Sequence, residues 1–292
     1  MSIGLRICVN SLQGALEGVP NLLRLFDEYK IRGSFFFAMG PDRSGRRRGG
    51  LALQPWRGQL SLGSRLYGTL LLPPDISRRA AEVMRSVDAA GHETGLLAYD
   101  RFAWVNGAAF ADAAWTEHAL LKAVEQYDAV FGRRPRSFAA AAWQVNPHLF
   151  RLEQELGFDY ASDVRGKSVF FPTLQEVESR CPQIPTTLPT LADLLKRGGE
   201  ITPDNVHEYL YADSQYILPN GQVYSLDAEM EGMAFLPLME KLVVMWRGNG
   251  GGLTTLGSLY EEVDRLALSR HQVGWSQEAS LDYHVATQAL PV

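Results

Sequence analysis

Short, wholly apolar segments alternate with longer segments of helical period, and this alternation limits the chain to a few architectures. Residues 3–9 (IGLRICV) are an apolar run of strand length. Gly18-Val19-Pro20 then opens a helical pattern, NLLRLFDEYK, that stops at Ile31-Arg32-Gly33. SFFFAMG follows as a second apolar run closed by glycine. Strand, helix and strand at this spacing make a βαβ unit whose strands are parallel and buried on both faces. The rhythm continues with a helix over 77–90, a strand over 92–99 (HETGLLAY) and a long helix over 110–131. Next come a strand-like SFAAAAW (137–143), a helix over 147–156, a strand over 158–163 and a strand over 222–230. A helix over 236–247 and a strand over 251–257 complete the series. Six or seven repeats suffice for an α/β barrel rather than an open sheet, so one barrel domain over residues 1–292 is expected.

Two segments interrupt the rhythm. Residues 40–75 form an insertion carrying Arg43, Arg46, Arg47, Arg48, Arg57 and Arg65, with no acidic residue between Asp42 and Asp75. Two readings stay open: a solvated loop, or a peripheral membrane contact through 43–72. In the second, the surface sits on anionic lipid or phosphate, with leucines, Trp56 and Tyr67 dipping into the interface. After Glu262 a helix (Tyr260 to Leu268) leads into GWSQEASLDYH, which reads as a lid or terminal tether.

A net charge of −5 lacks the basic excess of a nucleic-acid binder. The two cysteines, Cys8 and Cys181, are no disulfide framework and fit a reducing compartment. The N-terminus has no basic segment followed by a long apolar one, and no apolar run approaches the roughly 18 residues of a membrane span. A cytoplasmic protein is expected, either free or peripheral on the inner membrane.

Several stretches together resemble one family: GLRICVNSLQGALEGVPNLLRLF, SFFFAMGPDRSGR, HETGLLAYDRFAW, SDVRGK, QIPTTLPT and VYSLDAEMEG. They are similar to the polysaccharide-deacetylase (NodB-homology) superfamily, and within it to the deformylases of an amino-arabinose linked to undecaprenyl phosphate. The likeness runs from about Ile3 to Trp275, and QIPTTLPT and DAEMEG belong to that branch. It implies a distorted (β/α)7 barrel with its site at the C-terminal ends of the strands. It also implies amide hydrolysis on a divalent metal held by one Asp and two His, with an Asp base, an orienting Arg and a His acid.

At the implied positions this sequence carries other residues. Cys8 stands for the base and Asn10 for the metal Asp. Leu97 and Arg101 stand for the metal histidines, Gln144 for the orienting Arg, and Asp227 for the acid. Leucine has no ligand atom, and a guanidinium repels a cation. An ordinary thiol is mostly protonated at neutral pH. An Asp cannot protonate a leaving amine unless burial raises its pKa strongly. No metal or other cofactor is therefore expected.

Asn10, Tyr99, Arg101, Trp143, Arg165, Glu229 and Glu231 remain as candidate substrate-binding residues, with QIPTTLPT shaping the rim. An Arg101–Asp227 ion pair is expected where the metal would stand. His92 is expected to be structural, and Cys8 an inert thiol. A new cation site around Asp100 is disfavoured by Arg101. GNGGG (248–252) lacks the Lys-Ser/Thr of a phosphate loop. The expected function is a non-catalytic binder of a lipid-linked aminosugar or a partner subunit of an active homologue. An active carbon–nitrogen hydrolase with an atypical site is the alternative.

Overall fold

A computed structural model describes residues 2–47, 55–276 and 283–292. Arg48 and most of SQEASLDYH fall outside the described residues. The strands, in chain order, are β1 (Ser2–Val9), β2 (Ser34–Ala38), β3 (Glu93–Ala98), β4 (Ser137–Phe138) and β5 (Tyr160–Ala161). They continue with β6 (Phe171–Leu174), β7 (Val177–Glu178), β8 (Gln222–Asp227), β9 (Gly252–Thr254), β10 (Arg270–Ser276) and β11 (Val285–Pro291). The main sheet is parallel in the order β5-β4-β3-β2-β1-β8, with β9 on the start of β1. It is a distorted (β/α)7 barrel, as the repeat and the resemblance led one to expect.

The gap between β5 and β8 is closed by the QIPTTLPT segment. Ile184 N donates to Ala161 O on one side, and Thr187 N donates to Val223 O on the other. That segment supplies the seam of the barrel, and its prolines explain why it does not form a regular strand.

Helices α1 (Val19–Glu28), α2 (Ile76–Arg79), α3 (Ala81–Ala89), α4 (Arg101–Gly107), α5 (Ala113–Phe131) and α6 (Pro147–Leu156) pack outside the first five strands. Helices α7 (Leu191–Arg197), α8 (Val206–Ser214), α9 (Leu236–Gly248) and α10 (Leu256–Glu261) follow. Their starts carry acceptors that satisfy free backbone N–H groups. Asp75, Asp100, Asp112, Asn146 and Thr190 each cap a helix with the side chain.

Several expected boundaries are corrected. The helix expected over 77–90 breaks at Ala80 into α2 and α3. The one expected over 110–131 begins at Ala113, behind the Asp112 cap, and α4 precedes it. Only Ser137 and Phe138 of SFAAAAW pair as strand, because Ala142 and Trp143 are left-handed at φ 53°. The terminal helix is α10, over Leu256–Glu261, in place of Tyr260 to Leu268. In the tail, expected as a lid or terminal tether, β10 and β11 pair antiparallel, and β10 runs parallel to β6, giving a second sheet with β7.

Strand alternation decides what fills the barrel. Every second residue of a strand faces one side, so Leu5, Ile7 and Val9 of β1 point to the helices while Arg6, Cys8 and Asn10 share the interior. The β1–β8 register sets Arg6 beside Ser225 and Cys8 beside Asp227. An interior seeded with arginine, thiol and carboxylate cannot pack as oil and must be satisfied by hydrogen bonds.

Candidate functional site

At the C-terminal ends of the strands lies a cavity of about 50 Å³, lined by Cys8, Asn10, Leu97, Arg101, Trp143 and Asp227 among others. Five of the six positions singled out by motif thus converge. The expected direct Arg101–Asp227 ion pair does not form among the described residues; Asn10 stands between the two. Arg101 Nε donates to Asn10 Oδ1 at 2.5 Å, and Asn10 Nδ2 donates to Asp227 Oδ1 at 2.8 Å. Asn10 Nδ2 also donates to Glu229 Oε2 at 3.0 Å, and Asn10 N to Glu229 Oε1 at 2.9 Å. The guanidinium of Arg101 lies 4.9 Å from the Trp56 ring centre, within cation–π distance.

Burial shifts Cys8, Arg101, Asp227 and Glu229. Desolvation pushes Asp227 up, against the pull of Arg101 and Asn10. It pushes Glu229 up to about 7, helped by the charge of Asp227 and opposed by donors from Asn10 and Ser11. Arg101 is lowered by burial and supported by Asp227 and Glu229. Burial raises the Cys8 thiol to about 11 despite Arg6, so it is neither base nor nucleophile at neutral pH.

The remaining expected residues fall in different places. Glu229 and Glu231 are buried behind the cavity. Glu229 also accepts from Ser11 Oγ at 2.7 Å, while Glu231 accepts from Tyr224 OH at 2.6 Å and Asp227 N at 3.0 Å. Both fix the turn after β8 and do not line the cavity. Tyr99 is away from the mouth, with Lys122 Nζ 4.5 Å from its ring centre. Gln144 spans to the C-terminal segment, donating to His284 O at 2.8 Å, because the left-handed Ala142-Trp143 pair turns it outward. Trp143 and Arg165 do meet at the cavity's edge. The Trp143 ring lies between Arg6 at 5.6 Å and Arg165 at 4.1 Å, and Arg165 pairs with buried Asp193 at 2.6 Å. Asp100 caps α4 and pairs with Arg43, and His92 Nδ1 accepts from Gly33 N between two phenylalanine rings.

Three contributors escape the sequence reading. Arg6 is one charged letter inside an apolar run; its place on the Cys8–Asn10 face was the available signal. Asp193 is hidden in a helix start, where it also forms a capping box with Thr190. Trp56 is fully buried on Arg101, so the reading that dips it into a membrane is corrected.

The donor set does not fit a divalent metal. The single amide oxygen at position 10 already accepts from a permanent cation. Leu97 offers no donor atom, and among the described residues no cluster of three or more His, Cys, Asp or Glu side chains is arranged to hold a metal ion.

No family model matches the chain. The barrel and its mouth are those of a polysaccharide-deacetylase fold. A Mycobacterium smegmatis protein described as a polysaccharide deacetylase superposes at TM-score 0.66 and 17% identity, over 95% of this chain and 94% of that one. A CE4 family pseudoenzyme from Bacillus anthracis superposes at TM-score 0.55 and 12% identity, over 93% of this chain and 69% of that one. In sequence, the Shewanella sediminis protein assigned as 4-deoxy-4-formamido-L-arabinose-phosphoundecaprenol deformylase ArnD is 32% identical over 259 residues, 85% of this chain and 82% of that protein. This chain belongs to the ArnD deformylase family.

Proposed function

We propose that this chain keeps the family's barrel as a recognition scaffold, for a lipid-linked aminosugar or for an active homologue as partner, and has given up metal-dependent deformylation. One observation carries the reading. The Arg101–Asn10–Asp227 chain of hydrogen bonds joins the positions that the resemblance assigns to metal ligands and acid. A guanidinium there opposes a dication at short range, where Coulomb energies are large. The same fold is found in a CE4 family pseudoenzyme.

Ligand binding would use the rim. A groove of about 620 Å³ beside the cavity is lined by Val105, Phe110, Trp275 and Tyr283, and Tyr283 belongs to both. That volume suits part of an apolar chain, whereas 50 Å³ is far below the roughly 300 Å³ of small-molecule sites. A sugar would enter only if a lining side chain such as Tyr283 moved aside. The 43–72 segment supports membrane contact through exposed Leu62, Leu70 and Leu72 rather than Trp56. No helix among the described residues is long and apolar enough to cross a membrane.

The test is formate release from formamido-arabinose glycolipid, run beside glycolipid binding in nanodiscs. Saturable binding with no formate above the buffer blank is expected. The second reading, an atypical hydrolase, is favoured by the raised pKa of cavity-lining Asp227, which could make it an acid. Formate release that disappears in Asp227→Asn would establish it and overturn ours.

A further inference from the structure

We propose that the barrel interior binds a small monoanion, of chloride or formate size, on the guanidinium of Arg6. Arg6 is 1% exposed. Its Nη atoms donate to Cys8 Sγ at 2.9 Å, Ser225 Oγ at 2.8 Å and Ala140 O at 3.2 Å, all uncharged acceptors. Its Nε has no acceptor among the described residues. Asp163 and Asp227 feel its field, yet among the described residues neither comes within ion-pair distance. The neighbouring arginines differ: Arg165 pairs with Asp193, and Arg101 reaches Asp227 through Asn10. Arg6 is therefore a buried permanent cation without a contacting carboxylate, an arrangement that folded proteins compensate.

Cys8 does not supply the charge, since burial keeps it a thiol at neutral pH. The second donor is Trp143, whose ring lies 5.6 Å from Arg6 and whose Nε1 is buried without an acceptor among the described residues. Both residues line the same 50 Å³ cavity. Asp193 and Asp227 also line that cavity, but Arg165 holds the first and Asn10 the second. Two buried donors without acceptors and a cation without a contacting carboxylate, on residues lining one small cavity, are complementary to a single acceptor that carries negative charge. Volume sets its size. A cavity needs about 10–15 Å³ on this measure to hold one water, so this one holds a few waters or a single halide or formate, and an anion as large as glutamate does not fit. The inference does not depend on what the rim binds.

Chloride-35 line broadening on the full chain tests it, with potassium glutamate holding ionic strength constant. The expected result is excess broadening that saturates, is displaced by formate and is lost in Arg6→Met. Trp143→Phe keeps the ring and removes one hydrogen bond to the anion, which lowers chloride affinity about tenfold. It serves alone if Arg6→Met does not fold. Absence of excess broadening in the wild type points to water alone and overturns the proposal. So does broadening that formate leaves in place, or that Trp143→Phe leaves unchanged, since it would come from the surface.

Discussion

Gly14→Ala examines the polar frame behind the cavity directly. Gly14 opens a π-helical turn after β1, and a Cβ built on it would lie 2.0 Å from Glu229 Oε1 and 2.4 Å from Glu229 Cδ. Ordinary van der Waals separation requires the carboxylate to retreat by more than 1 Å, by the usual contact distances of about 3.5 Å. It cannot retreat and keep its hydrogen bonds from Asn10 N, Asn10 Nδ2 and Ser11 Oγ, at 2.9, 3.0 and 2.7 Å. Each such bond to a charged group contributes about 1.5–3 kcal/mol. Losing two costs roughly 3–6 kcal/mol, less about 0.4–1 kcal/mol from a stiffer unfolded chain. A net loss of about 3 kcal/mol, with an unfolding entropy of about 2.1 cal/mol/K per residue, lowers Tm of this chain by roughly 5 °C. Circular dichroism melts and urea titrations measure it. Gly58→Ala is the control, because nothing lies within 4 Å of its added Cβ. A Tm change under about 1 °C for Gly14→Ala would refute the reasoning. An undiminished penalty in a Glu229→Ala background would refute it too, since the clashing partner is gone there.

Other outcomes follow from the same geometry. Glu153 and Asp163 are buried together, with Gln183 Nε2 donating to both, and burial plus the Asp163 charge raise Glu153 well above the ordinary value of 4.5. A carboxyl with a raised folded pKa contributes stability that is full below the unfolded pKa and is lost as pH rises through the folded one. Wild type should therefore fall relative to Glu153→Gln by up to about 1.4 kcal/mol per pH unit within that window. Urea midpoints at pH 5 and 8 that shift equally would exclude this. Native Cys8 should react with iodoacetamide at pH 8 at least about 100-fold more slowly than in urea, from its thiolate fraction alone; comparable rates would show an activated thiol. Replacing exposed Leu62, Leu70 and Leu72 with serine should weaken sedimentation with anionic vesicles and leave Tm unchanged. Undiminished sedimentation would assign membrane contact to another surface.

The amino-acid sequence by itself determined the βα rhythm, the first three strands, the starts of α1, α2, α6 and α9 to within a residue or two, and the identity of the residues at the strand ends. Those features are local. Apolar runs mark buried strands, and Asp or Asn before a helical pattern caps it, whatever the rest of the chain does. The motif positions 8, 10, 97, 101 and 227 could be named in advance because the family resemblance carries each over from its motif.

The tertiary structure alone decided how those residues meet. Asn10 lies between Arg101 and Asp227 because the β1–β8 register puts Cys8 beside Asp227, and register depends on residues more than 200 apart. Tyr99 and Gln144 sit near the site in sequence but face elsewhere, Gln144 because two left-handed residues, neither a glycine, carry no mark in sequence. Trp56 reads as a membrane anchor in a basic loop, and only the folded chain brings it onto the Arg101 guanidinium. Strand faces are a matter of period and can be read along the chain. Which faces meet is a matter of long-range packing, which must be found in three dimensions.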